Sequence, residues 1–203
     1  MTNKDLVKHL KKVGVLKSKN IEEALLHVDR KDFVPEKYSD SAYFDDALPT
    51  LKEQTISQPY TVVFMLELLE PKEGHTILDV GSGSCWQTAM LAEIVGEKGK
   101  VYGIEVVPEV FEFGKKNIEK YPKLSNRIEL YQQNANSGLA DTIFDRITVA
   151  ASVRNVPSEW KEKLKVNGIM VFPKDQGIYK LTKENQTCFK KEFYPGFVFV
   201  PFI

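Results

Sequence analysis

The chain has 203 residues, a length that suits one domain with a sizeable core or a domain with a small helical appendage. Its 28 Lys and Arg are balanced by 28 Asp and Glu, so no global field draws it to nucleic acid or to an anionic membrane. The N-terminus lacks an apolar run of signal-peptide length, and the run from Val62 to Leu69 is short and broken by Glu67, which together predict a soluble, cytoplasmic protein. Cys85 and Cys188 lie far apart, with no second pair to complete a metal site, and read as reduced thiols. His9, His27 and His75 form no spaced cluster, so no metal ligand set is expected.

From Asn3 to Val13 the apolar residues Leu6, Leu10 and Val13 recur at spacings of four and three, the stripe of an amphipathic helix that Gly14 is placed to end. A second helix is predicted from Asn20 to Val28, with Ile21, Leu25 and Val28 inward and Glu22 and Glu23 near its positive end. The segments 29–35 and 42–49 show no period and are rich in turn residues, so they read as ordered loop.

Thr76 to Glu105 is the most organised stretch. Thr76–Val80 reads as a short buried strand, Gly81–Ser84 as a tight turn, Trp86–Val95 as a helix, and Lys100–Ile104 as a second strand that ends on Glu105. Glycines at 81 and 83 let the backbone take positive φ and approach a ligand, and the free N–H groups that open the next helix face the same crevice. Glu105 is then placed to accept hydrogen bonds from both hydroxyls of a ribose. A blander reading makes the glycines an ordinary turn and Glu105 a solvated charge. A dinucleotide site is disfavoured, because the position of its third glycine is Trp86, and no phosphate-binding Gly-x-x-x-x-Gly-Lys-Ser/Thr run occurs. Asp79 to Ser84 followed by Gly103-Ile104-Glu105 resembles the first two motifs of class I S-adenosylmethionine-dependent methyltransferases, whose cofactor carries no phosphate.

Beyond Glu105, Pro108 suits a first helical turn, and Val110, Phe111, Gly114 and Ile118 suggest a helix to about Lys120. Strands are predicted at Arg127–Tyr131, Phe144–Ala150 and Ile169–Phe172, with Ser158 as a helix N-cap between the last two. Tyr179–Thr182, Thr187–Phe189 and Phe197–Phe202 are candidate antiparallel closing strands. Alternation of this kind predicts an α/β fold with a mostly parallel sheet covered on both faces. The division expected is 1–58 for the N-terminal helices and a substrate-side loop and 59–203 for the cofactor-binding core, in one domain.

Asp29-Arg30, Phe33-Val34-Pro35, Ala42-Tyr43, Asp45, Leu48-Pro49 and above all Thr55-Ile56-Ser57-Gln58-Pro59 are similar to the N-terminal signature of protein-L-isoaspartate O-methyltransferases. The likeness continues through Ile77 to Ser84, Phe144-Asp145, Val156-Pro157, Gly168 and Phe172-Pro173 to Phe199-Val200-Pro201, nearly the whole chain. It implies a Rossmann-like class I methyltransferase fold with a seven-stranded sheet and an N-terminal helical extension. It further implies transfer of a methyl group from S-adenosylmethionine to the α-carboxylate of L-isoaspartyl residues in damaged proteins, after which succinimide formation and hydrolysis partly restore the normal linkage. The partners implied are isoaspartyl peptides or proteins, and a monomer is expected. Cofactor contacts fall by this resemblance on Thr55, Ile56, Asp79, Gly81, Ser82, Gly83, Ser84, Glu105, Val106, Asn134 and Ala135. The active-site hydroxyl falls on Ser57, which would orient the acceptor and not attack it.

The sequence departs from the family pattern in two places. Cys85 stands where glycine is common, which costs about 1 kcal/mol or more if the position needs positive φ, and its side chain would crowd the cofactor's amino-acid end. Gln133-Asn134-Ala135 replaces a Gly-Asp-Gly whose aspartate accepts from the adenine amino group; an asparagine carbonyl accepts the same bond without the charge, so weaker adenine recognition is expected. The competing functions are a methyltransferase with another acceptor and a binding module that keeps only the scaffold.

Overall fold

The structure is a computed structural model that describes residues 1–135 and 142–202. The chain opens with α1 (Asn3–Lys12) and α2 (Lys19–His27), continues through two tight helical turns at Arg30–Phe33 and Glu36–Ser41, and makes a small hairpin of β1 (Leu48–Pro49) and β2 (Thr55–Ile56) before α3 (Pro59–Leu69). Then follow β3 (Thr76–Val80), α4 (Trp86–Val95), β4 (Lys100–Glu105), α5 (Pro108–Glu119), the short α6 (Pro122–Ser125), β5 (Ile128–Gln132), β6 (Phe144–Val149), α7 (Ser158–Glu162), β7 (Leu164–Lys174), β8 (Gly177–Lys183) and β9 (Phe189–Pro195).

The local causes are readable. Thr2 and Asp5 form a reciprocal capping box at the start of α1. Glu67, the charge that interrupts the apolar run of α3, accepts from Lys17 N, Ser18 N and Ser18 Oγ at 2.6–2.8 Å and so caps α2 from a neighbouring helix. Pro59 and Pro108 occupy first-turn positions, where a missing N–H costs nothing.

Seven strands form one sheet in the order β5-β4-β3-β6-β7-β8-β9. The pairs from β5 to β7 are parallel, and β7-β8-β9 close the sheet antiparallel. Residue alternation divides the core. Ile77 packs with α1 to α4 on one face, while Leu78 and Val80 pack on the other with Ile147, Val149 and Trp160 of α7. Because the chain runs outward from β3 through β4 to β5 and then returns to β6 on β3's other side, the strand order reverses beside β3. The carboxyl ends of such strands are where open α/β sheets hold ligands.

Three expectations are corrected. Phe197–Phe202 is no strand; after Gly196, at φ +95°, the tail pairs with the loop after β6 through an isolated parallel bridge between Ser152 and Pro201, and Phe197 N donates to Gln176 O in the turn between β7 and β8. Proline supplies no N–H to extend that pairing. The preceding strand runs over Phe189–Pro195, later than the predicted Thr187–Phe189. Ser158 is the first helical residue and caps nothing, since Pro157 holds the N-cap position.

Candidate active site

The turn after β3 is stitched to the next strand. Gly81 N and Ser82 N both donate to Ile104 O, at 2.8 and 2.9 Å, with Gly81 at φ +75° and Gly83 at φ +55°. Glu105 closes the same turn. Its Oε2 accepts from Gly83 N at 3.0 Å and its Oε1 from Val107 N at 2.9 Å, so the carboxylate is a buried brace between two loops and not a solvated charge. Each of its oxygens keeps a further lone pair for a ligand hydroxyl.

Helix α5 must come close for this arrangement. A Cβ at Gly114 would stand 2.5 Å from Gly83 O and 2.6 Å from Cys85 Sγ, so only glycine fits there. The helical stripe gave no hint of that role. Cys85 does adopt positive φ, +66°, but its side chain is buried toward Gly114 and is not on the cavity wall, which corrects the expected crowding of the cofactor. Burial, with Asp79 nearby, pushes its thiol up to about 12, so it is an inert packing group.

One cavity of about 500 Å³ lies over these carboxyl ends, within the usual size of small-molecule sites. Its walls come from the loop that leads into α3 (residues 54–58), the turn 81–84, residues 104–107, Gln133 and Ala135, and the tail 198–202. Of the predicted site residues, Thr55, Ile56, Ser57, Asp79, Gly81, Ser82, Gly83, Ser84, Glu105, Val106 and Ala135 lie on the wall. Asn134 does not; it is exposed, and its neighbours Gln133 and Ala135 line the cavity instead.

Asp79 sits at the base, fully buried, where its carboxylate accepts from Thr88 Oγ1 at 2.6 Å and Gln87 Nε2 at 2.9 Å. Burial pushes this carboxyl up to about 6 against the pull of those two hydrogen bonds. Thr88 and Gln87, both on α4, were missed by the sequence reading. So was Arg30, whose guanidinium lies behind Ser57 and donates to the Ser57 carbonyl at 3.0 Å.

The donor set suits a cationic nucleoside. The wall carries the carboxylates Asp46, Asp79 and Glu105 and, among the described residues, no Lys or Arg, so phosphate would be repelled and a positively charged ligand favoured. Ser82 Oγ is buried with only the Cys85 thiol, a weak partner, close to it in the protein, which leaves it a polar group for a ligand. Among the described residues no cluster of His, Cys, Asp and Glu could hold a metal ion, and no helix is long and apolar enough to cross a membrane.

A mostly parallel seven-stranded sheet with a glycine turn and an acidic strand end beside its switch point defines a Rossmann-like class I methyltransferase. The whole chain, residues 1–203, matches the protein-L-isoaspartate(D-aspartate) O-methyltransferase family and belongs to it. It is similar to proteins named protein-L-isoaspartate O-methyltransferase from Dictyoglomus turgidum, 42% identical over 98% of this chain and 89% of the relative, and from Pyrobaculum islandicum, 39% identical over 92% of each. Among solved structures it resembles a Plasmodium falciparum chain described as a protein-L-isoaspartate O-methyltransferase in complex with S-adenosyl-L-homocysteine, with a TM-score of 0.91, 25% identity and coverage of 100% of this chain and 99% of the other.

Proposed function

We infer that this protein transfers the methyl group of S-adenosylmethionine to the α-carboxylate of L-isoaspartyl residues in damaged proteins. The observation that carries the reading is the meeting of Ser57 and the Gly81–Glu105 nucleoside framework on the walls of one cavity, in a chain matched from end to end by that family. Its acceptors are peptides and proteins, and it acts as a cytoplasmic monomer. The unpaired thiols of Cys85 and Cys188 suit a reducing compartment.

When bound, S-adenosylmethionine supplies a sulfonium methyl group that is already electrophilic. Glu105 would accept from the ribose hydroxyls, its two backbone donors keeping it from turning. Ser82 Oγ and the turn 81–84 would complete the nucleoside wall, with Gln133 and Ala135, which also line the cavity, placed to meet its base. Asp79, held by Thr88 and Gln87, would bring negative charge toward the cofactor's amino-acid end.

The acceptor carboxylate, with an ordinary pKa of about 3.9, is ionised at neutral pH, so the site needs no general base. What the residues supply is orientation and exclusion of water. Ser57 donates a hydrogen bond to one acceptor oxygen and aims the other; it forms no covalent bond, and no nucleophile elbow surrounds it. Alignment of this kind contributes up to about 7–11 kcal/mol.

The test is calorimetric titration with S-adenosylhomocysteine, followed by transfer of labelled methyl to an isoaspartyl peptide and its aspartyl twin. Transfer to the isoaspartyl peptide alone is expected. Binding without transfer would redirect the search to another acceptor, and absence of binding would leave only a scaffold protein.

A further inference from the structure

We propose that Arg30 is a positioning residue for the methyl acceptor: its guanidinium fixes the Ser57–Gln58 peptide with the N–H edge toward the cavity, and its charge draws the acceptor carboxylate there. The proposal rests on the functional reading above and specifies how the second reactant is held.

Arg30 is 0% exposed and holds backbone carbonyls only. Nη1 donates to Ala42 O at 2.8 Å and Phe44 O at 3.2 Å; Nη2 donates to Asp46 O at 2.9 Å and Ser57 O at 3.0 Å. Nε has no partner. The guanidinium also lies 5.3 Å from the ring centre of Trp86, the first residue of α4, which itself lines the cavity. One rigid fork thus ties the 42–46 loop, the Ser57 peptide and the head of the nucleoside-side helix to a single point. Burial lowers its pKa to about 10, while Asp45 and Asp46 act in the opposite sense, so the side chain stays charged at neutral pH.

The cavity presents a conflict that this charge resolves. Its three wall carboxylates favour a cationic methyl donor but repel an anionic acceptor. Arg30 sets a positive charge one peptide group behind Ser57, where it offsets the nearby Asp45 and Asp46, the latter on the wall itself. It also decides which edge of that peptide an acceptor meets. A trans peptide points its C=O and N–H in opposite directions, so capture of the Ser57 carbonyl turns the Gln58 N–H away from Arg30. Gln58 is the N-cap of α3; Pro59 has no N–H and Tyr60 N is already held by Asp45 Oδ1 at 2.7 Å, so at this helix end it is the Gln58 N–H that the Ser57 carbonyl's capture presents to an acceptor. Were the carbonyl free to swing inward, an acceptor oxygen would meet another oxygen.

The experiment compares the wild type with Arg30→Met and Arg30→Lys, in both cases with S-adenosylhomocysteine affinity measured on the same sample. Each enzyme is assayed for the KM of an isoaspartyl peptide and for the inhibition constant of the same peptide with its α-carboxylate converted to a carboxamide. Arg30→Met should raise the KM of the carboxylate peptide about tenfold or more, while the inhibition constant of the carboxamide and the affinity for S-adenosylhomocysteine move less than about threefold. Arg30→Lys, which keeps the charge with fewer donors, should recover part of that KM but not kcat. Equal weakening of the carboxylate and the carboxamide would overturn the proposal, because a merely structural arginine does not sense acceptor charge. If Arg30→Met does not fold, Arg30→Gln, which also removes the charge but keeps two donors, is measured in its place and decides the matter by the same ratio. A wild type that methylates no isoaspartyl peptide would sink the functional reading and this proposal with it; a competent wild type with an unaltered ratio in both variants would sink Arg30's role alone.

Discussion

At the residue scale, of the three carboxylates on the cavity wall, Asp79 is fully buried while Asp46 is exposed. Asp79 is the expensive one. Its folded pKa of about 6 lies above the ~3.9 of an unfolded chain, so between those values the native state holds a proton that the unfolded chain has released. Stability should therefore fall as pH rises from about 4 to about 6 and level off above, with Asp79 responsible for on the order of 2 kcal/mol of the change. Asp79→Asn has nothing to titrate. In urea titrations at pH 4.5 and pH 7, the stability of the wild type relative to Asp79→Asn should drop by about that amount, and a gap that ignores pH would refute the assignment. Ser57 makes the opposite case, a cheap residue with a large effect. Ser57→Ala should lower kcat/KM for an isoaspartyl peptide by about tenfold or more and leave S-adenosylhomocysteine affinity within about twofold, since the hydroxyl serves the acceptor alone. Equal loss of both would contradict that role. Ser57 and the glycine turn were legible because a signature and a spacing carry them. Arg30 stood in the sequence as part of a motif, but its role was not legible, because its partners are carbonyls at 42, 44, 46 and 57, and every residue has a carbonyl.

At the scale of elements, two buried cations finish helices that have no sequence cap of their own. Arg146 on β6 donates from Nε to Leu69 O at 2.6 Å and Glu70 O at 3.2 Å, at the C-terminal end of α3. Lys183 on β8 is 2% exposed and donates to Lys161 O, Glu162 O and Leu164 O around the end of α7. Both place positive charge where a helix gathers unpaired carbonyls. Lys183→Met should cost about 1–3 kcal/mol in urea unfolding through those three orphaned carbonyls and move ligand affinity less than about threefold, because Lys183 is not on the cavity wall and α7 reaches it only from behind, through Trp160 against Ala135 and Phe202. Little or no loss would mean that solvent replaces the lysine freely. Such caps are hidden in sequence for the reason that hides Arg30. The tail illustrates the reverse error. Phe197 to Phe202 has the apolar content of a strand, yet strand formation depends on an available edge, and only Ser152 meets it.

For the whole molecule, the cavity's walls come from widely separated parts of the chain. Residues 54–58 belong to the N-terminal third, 79–84, Trp86, Gln87 and 104–107 to the central βαβ unit, and 198–202 to the tail. A ligand that fills the cavity touches all of them, so its binding energy acts on the fold as a unit. At a hundred times its dissociation constant, S-adenosylhomocysteine should add about 2.7 kcal/mol to stability, which for a chain of this length raises the melting temperature by about 5–10 °C. Local protection should be wider than the nucleoside footprint. Amide exchange is expected to slow at the glycine turn and also at residues 54–58 and 198–202, because those two segments have few hydrogen bonds to the sheet and lose their freedom to open when the space between them fills. Exchange that slows at the turn alone would mean that the nucleoside half is filled without engaging the acceptor walls, and that the two ends close only on a peptide. Repeating the measurement with an isoaspartyl peptide added would then separate the donor's share of that closure from the acceptor's.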